Sequence, residues 1–211
     1  MSAIVTLEAL DLAALLCSRL CHDLISPVGA VVNGLEVLED DNDAETKTFA
    51  LELIKKSARV ASARLQFCRL AFGAAGSAGA SIDLGDAETV ARGFLEDEKS
   101  KLGWQLPRTL LPKNRVKLLL NLLIVAGQTI PRGGTLTAEP IGEGQTMGFR
   151  VRASGPNARI PQAVQPLLSG EPGQSIDAHA IQPFYTGLLA RDCAMTVTIA
   201  LEGETVVVTA R

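Results

Sequence analysis

Aromatic residues are scarce in this chain: one Trp, one Tyr and six Phe among 211 residues, or 4%. The core must therefore be aliphatic, built from Leu, Val, Ile and Ala. A basic excess is missing as well, with 20 Lys and Arg against 23 Asp and Glu for a net charge of −3. No segment hides one: residues 1–75 carry 10 acidic and 7 basic side chains, and residues 83–211 carry 13 of each. That balance excludes the electrostatic footprint of a duplex-binding protein, so no nucleic-acid partner is expected. The longest apolar run, residues 118–126, is broken by Asn121 and falls far short of the ~20 residues of a membrane span. The start, Met1-Ser-Ala-Ile-Val-Thr-Leu-Glu, lacks the basic residues and apolar stretch of an export signal. A soluble cytoplasmic protein without a membrane partner is expected. Its four cysteines, Cys17, Cys21, Cys68 and Cys193, are then expected reduced and behaving as small hydrophobes. What the chain does have is 47% hydrophobic and only 20% charged residues, the composition of a chain that folds.

Two compositions meet at residues 73–81, nine consecutive Gly, Ala or Ser residues that read as a linker. It divides the chain into residues 1–75 and residues 83–211. In the first part Ala13, Cys17, Leu20, Leu24, Val28, Val31, Leu35 and Leu38 recur at steps of 4, 3, 4, 4, 3, 4 and 3, the seam of a helix in a bundle. The acidic run ending at Asp43 breaks the pattern. Asn42, three residues before Glu45, resembles a capping box for a second helix over about residues 44–72, which carries Leu53, Val60 and Phe67 at heptad intervals. Two helices cannot enclose their own apolar stripes, so an antiparallel hairpin that dimerises into a four-helix bundle is the economical solution. The second part alternates element types. Helical patterns cover residues 86–99, 113–130 and 177–192; strand patterns cover 134–141, 146–153, 195–202 and 205–209, the last two joined about Gly203. The mixture predicts an α/β domain with a sheet covered on one face by helices.

Two histidines occur, His22 and His179. On a helical wheel centred on Leu24, His22 lies about 160° away, facing solvent. Its face holds Leu15, Ser18, Arg19, Ser26, Gly29 and Asn33: apolar at one end and small beyond the imidazole. Pro27, five residues on, removes the hydrogen bond to the Asp23 carbonyl and costs about 3 kcal/mol in a helix interior. A rule-breaking position beside a solvent-facing His-Asp pair raises the case for function. His179 reads as a surface or capping residue. The spacing Cys17-x-x-x-Cys21-His22 is one residue longer than the haem-attachment motif, and the cysteines sit on the apolar stripe while His22 points away, so neither metal nor haem is expected.

Arg19-Leu-Cys-His22-Asp23-Leu-Ile-Ser-Pro27 resembles the phospho-acceptor box of two-component histidine kinases. The longer run from Leu16 to Glu36, with Gln182-Pro-Phe-Tyr-Thr-Gly-Leu-Leu-Ala-Arg191, is similar to the ChpT-type histidine phosphotransferases of alphaproteobacterial phosphorelays over nearly the whole chain. The resemblance implies a dimerisation and phosphotransfer hairpin followed by a degenerate histidine-kinase-like ATPase domain. Three positions fit that degeneracy. Val125 stands where the kinase N box has a Mg²⁺-coordinating Asn, and it has no oxygen to offer a hard cation. Ala153 replaces the Asp that hydrogen-bonds adenine. Leu189 replaces the second Gly of the last Gly box, obstructing close backbone approach to phosphate.

By that resemblance His22 is the phospho-acceptor, taking a phosphoryl group from one receiver aspartate and passing it to another. Imidazole suits the task because an unperturbed pKa of about 6.5 leaves it mostly uncharged near neutral pH. Asp23 is expected to hold the Nδ1 proton and Arg19 to neutralise phosphoryl oxygens, while Leu15, Ser18, Ser26 and Gly29 form the docking face. No cofactor is expected on this chain: no ATP, and Mg²⁺ would come with the receiver. The resemblance implies a CckA-like hybrid kinase receiver as donor and CtrA-like and CpdR-like cell-cycle response regulators as acceptors. The alternatives are an ATP-dependent histidine kinase, against which Val125 and Ala153 count, and a non-catalytic dimeric scaffold.

Overall fold

A computed structural model describes residues 6–40, 43–73, 80–171, 176–178 and 180–211. The chain opens with two long helices, α1 (Ala9–Asp40) and α2 (Ala44–Ala71), packed against each other as a hairpin. Their approach is close where side chains vanish: Gly34 is buried, and a Cβ there would stand 2.6 Å from Ile54 Cγ1. Asn42 lies outside the described residues. The cap of α2 is Asp43, whose carboxylate accepts from Thr46 N–H at 2.8 Å. That amide hydrogen bond, and then one from the Thr46 hydroxyl at 3.0 Å, hold the Asp43 carboxyl below its usual range.

The apolar seam expected on α1 splits in two. Leu20, Leu24 and Val31 are half-buried within the hairpin, whereas Ile25 (71% exposed), Val28, Val32 and Leu35 form an open stripe beside it. On α2, Phe49 (69% exposed), Leu51, Val60 and Leu65 are likewise open. Among the described residues α1 is long and apolar enough, by length and composition, to cross a membrane, with a mean hydropathy of 1.4 over its richest 18 residues. Its apolar side chains nevertheless sit on stripes flanked by Arg19, Asp23, Asn33 and Glu36, the pattern of a bundle helix.

The second part is the expected mixture of helices and sheet. A short antiparallel pair, β1 (Ser81–Asp83) with β3 (Leu110–Pro112), forms a sheet separate from the main one. The main sheet comprises β2 (Ser100–Trp104), β4 (Gly134–Ile141), β5 (Gly148–Ser154), β6 (Val197–Glu202) and β7 (Thr205–Ala210), in the order β2-β4-β5-β7-β6. Only β2 and β4 pair in parallel. Alternation sets the faces: Leu136, Ala138, Phe149, Val151, Ala153, Val206, Val208 and Ala210 are buried, while Glu139 and Arg150 pair across the outer face. Helices α3 (Leu84–Leu95), α4 (Lys113–Gln128), α5 (Val164–Ser169) and α6 (Ile181–Asp192) complete the domain. Residues 118–126 of α4 are buried without a gap, so this helix is enclosed on every side.

Two helix boundaries differ from the sequence expectation by four residues. The helix expected to reach residue 99 ends at Leu95, because Asp97 Oδ1 accepts from the amides of Lys99 and Ser100, both at 2.7 Å, and turns the chain into β2. The helix expected from residue 177 starts at Ile181, after Asp177 Oδ1 accepts from Ala180 N–H at 2.8 Å. The glycine-rich junction also carries more than a tether. Residues 74–79 lie outside the description, but Phe67, Ala71, Leu70 and Phe72 of the hairpin's end join the core of the α/β part. There Phe67 stacks on Phe94 with ring centroids 4.0 Å apart.

Candidate functional site

Pro27 is buried inside α1 and does not interrupt it. A proline carries no N–H, so the carbonyl of Asp23, four residues earlier, loses its helical donor. Arg64 of α2 supplies the missing hydrogen bond: its Nη1 donates to the Asp23 carbonyl oxygen. The carboxylate of the same residue is held twice more. Arg19 Nε donates to Asp23 Oδ2 at 3.0 Å, and Oδ1 stands 3.5 Å from His22 Nδ1. The His22 side chain is 78% exposed. With Nδ1 turned to the carboxylate, Nε2 is the ring nitrogen left without a contact from Asp23.

His22, Asp23, Arg19 and Ser18 line a cleft of about 290 Å³ whose opposite wall is Ala178, from the segment leading into α6. An apolar contact fixes that wall. Leu167 of α5 with Ile181 and Phe184 of α6 forms a small buried cluster, and Leu7, Leu12, Leu15 and Leu16 pack against it. Leu15 is therefore partly covered within the chain, on a face expected to be open. Ser18 and Ser26 are exposed as expected, and a Cβ at Gly29 would meet nothing within 4 Å. Arg19 is mostly covered, with 18% of its side chain exposed, and its Nε is committed to Asp23. His179 lies outside the described residues.

Arg64 was missed by sequence reading, although a signal for it exists. Asp23 and Arg64 are nearly equidistant from the turn at Asp43, so an antiparallel hairpin places them opposite each other. A proline on one helix and a long cation at the facing position of the other form a detectable pair.

Cys17 and Cys21 are exposed beside the site, whereas Cys68 is buried. Burial chiefly, and then the negative charge of Asp23, push the Cys68 thiol up to about 11, with Arg19 and Arg64 opposing. Among the described residues no group of three His, Cys, Asp or Glu is placed to hold a metal ion.

The nucleotide-box positions lie in packed core. Val125 and Ala153 are fully buried, and Leu189 is buried in the same cluster. The Asn of this region, Asn121, is fully buried and engaged at both ends of its amide: its Nδ2 donates to the carbonyls of Ala71 (3.0 Å) and Lys117 (2.8 Å), and its Oδ1 accepts from Gln182 Nε2 at 2.7 Å. It ties α2, α4 and α6 together instead of facing a ligand. The surviving glycines also have packing reasons. A Cβ at Gly187 would strike the Leu168 carbonyl of α5, and one at Gly155 would strike the Gly133 carbonyl.

The helical hairpin thus displays a solvent-facing imidazole, with one ring nitrogen 3.5 Å from a carboxylate, on an α/β domain. The family model for the histidine phosphotransferase C-terminal domain matches residues 84–205. The protein phosphotransferase ChpT of Brucella abortus (strain 2308) is 52% identical over 211 residues, covering 100% of both chains. A bacterial phosphotransferase solved at 1.7 Å superposes with a TM-score of 0.88 at 48% identity, covering 99% of this chain and 100% of that one. The chain belongs to the ChpT-type histidine phosphotransferase family, and it is a phosphotransferase.

Proposed function

We propose that this chain carries a phosphoryl group on His22 between receiver-domain aspartates, as the middle member of a phosphorelay. The donor is the receiver of a hybrid histidine kinase, CckA-like by family, and the acceptors are CtrA-like and CpdR-like response regulators of cell-cycle control. The observation that carries this reading is the His22 ring, 78% exposed with Nδ1 at 3.5 Å from Asp23.

The chemistry follows from that orientation. The Nε2 lone pair attacks the phosphorus of the receiver's aspartyl phosphate in line with the bond to the leaving carboxylate. The P–N bond forms as the P–O bond breaks, and the carboxylate departs with the bonding electrons. The ring becomes a cation that keeps its Nδ1 proton, and Asp23 stabilises that cation as carboxylates do for catalytic imidazoles elsewhere. The reverse sequence delivers the phosphoryl group to the next aspartate. Arg19, paired to Asp23 Oδ2, keeps the carboxylate oriented and leaves positive charge beside the incoming phosphate. Mg²⁺ belongs to the receiver in this scheme.

No nucleotide takes part. Val125, Ala153 and Leu189 offer neither a metal oxygen nor an adenine partner, and all three are packed in the core. The chain works as a cytoplasmic homodimer in which the open stripe Ile25, Val28, Val32 and Leu35 meets its copy. Incubation with a radiolabelled, phosphorylated receiver tests the proposal: the chain takes up acid-labile label and His22→Ala takes up none. Label surviving in His22→Ala overturns the acceptor assignment, and micromolar ATP affinity by calorimetry restores the autokinase reading.

A further inference from the structure

Position 27 lacks the donor that every other residue type would supply, and the acceptor left open is the main-chain carbonyl of Asp23. The replacement donor comes from the other helix, Arg64 Nη1, across 41 residues of sequence. From the same Asp23 the carboxylate reaches His22 Nδ1 at 3.5 Å and Arg19 Nε at 3.0 Å. Asp23 is thus gripped by its main chain from α2 and by its side chain from α1. A helical carbonyl without a donor tilts outward toward water and bends the turn that bears it. That turn carries both the carboxylate and the imidazole.

We infer that Arg64 is a positioning residue for phosphoryl transfer: by holding the Asp23 carbonyl that Pro27 leaves open, it keeps the carboxylate in reach of His22 Nδ1, so that Nε2 stays unprotonated and aimed outward. The catalytic part of this inference rests on His22 as the phospho-acceptor; the tautomer part rests on the geometry alone. Arg64 differs from Arg19 in what it touches. Arg19 grips a side chain, whereas the partner of Arg64 is a carbonyl whose vacancy exists only because residue 27 is proline.

That dependence supplies the test. Arg64→Ala is made in the native chain and in a Pro27→Ala background, where residue 27 regains an N–H for the Asp23 carbonyl. Transfer is measured from a receiver domain charged with a small-molecule phosphodonor, and the His22 tautomer is read by nitrogen NMR of the unphosphorylated dimer. In the native background, Arg64→Ala lowers the transfer rate constant at saturating receiver by about tenfold, with the half-saturating concentration changed by less than about twofold. The Nδ1–H tautomer loses its dominance at the same time. In the Pro27→Ala background the same substitution moves both readouts by less than about twofold relative to that background. Arg64→Gln, which keeps a shorter N–H donor, gives an intermediate result and serves if the alanine variant does not fold. Equal losses in both backgrounds overturn the inference and assign Arg64 to the phosphoryl charge; unchanged rate and tautomer overturn it outright. If His22→Ala still takes label, the acceptor assignment falls while the tautomer result still decides the positioning role.

Discussion

One turn beyond the imidazole Ser26 stands exposed, and two turns beyond, a Cβ at Gly29 would find open space. Small side chains matter here because a receiver must bring its aspartate within about 3 Å of Nε2 for in-line transfer. Ser26→Trp is expected to slow transfer by about tenfold or more through exclusion, with the thermal transition unchanged because the side chain points to solvent. Stopped transfer assays over a range of receiver concentrations check this; an unchanged rate places the receiver on another side of α1. The His22–Asp23–Pro27 run was legible because motif and wheel angle are local properties of one helix. The partial cover of Leu15 was not legible for the complementary reason: Leu167, Ile181 and Phe184 arrive from more than 150 residues away. Arg64 escaped because its partner is a carbonyl vacated by Pro27 on the other helix, so the pair shows only when the two helices are laid antiparallel about Asp43.

The two long helices and the β6–β7 hairpin were readable from periodicity and from Gly203 at φ +63°. Strands β1, β2 and β3 and the six-residue helix α5 were not. In β2 only Leu102 is buried, so no alternation announces the strand, and its register is imposed by parallel pairing with β4. The glycine-rich junction suggested independent parts, yet the last turns of α2 act as a core element of the α/β half. Phe67 is fully buried in that core, stacked on Phe94 at 4.0 Å. Phe67→Ala is therefore expected to cost about 3–5 kcal/mol, read by denaturant unfolding at fixed protein concentration. A change below about 1 kcal/mol would mean that the joint is dispensable to stability.

At the scale of the molecule the proposed dimer rests on the open stripe of α1. Ile25, Val28, Val32 and Leu35 stand between 47% and 71% exposed, and burying each is worth roughly 1.5–3 kcal/mol. Ile25→Asp combined with Val32→Asp is expected to convert a dimer to a monomer in sedimentation velocity at micromolar concentration, since neither side chain reaches the core. A native chain that sediments as a monomer would remove the dimer from the proposal. The shared core has its own consequence for where the protein can be cut. The segment of residues 84–205, which matches the family, is not expected to fold alone. Its interior is closed on one side by Phe67 and Ala71 of the hairpin and on the other by Val206, Val208 and Ala210 of β7, all of them buried and all outside that segment. Expressed alone, residues 84–205 would lose most of a central strand and the lid over α3 and α4, and would bind hydrophobic dyes and aggregate. Hairpin and α/β half should instead melt in one transition, so that carrier histidine and docking wall persist or vanish together.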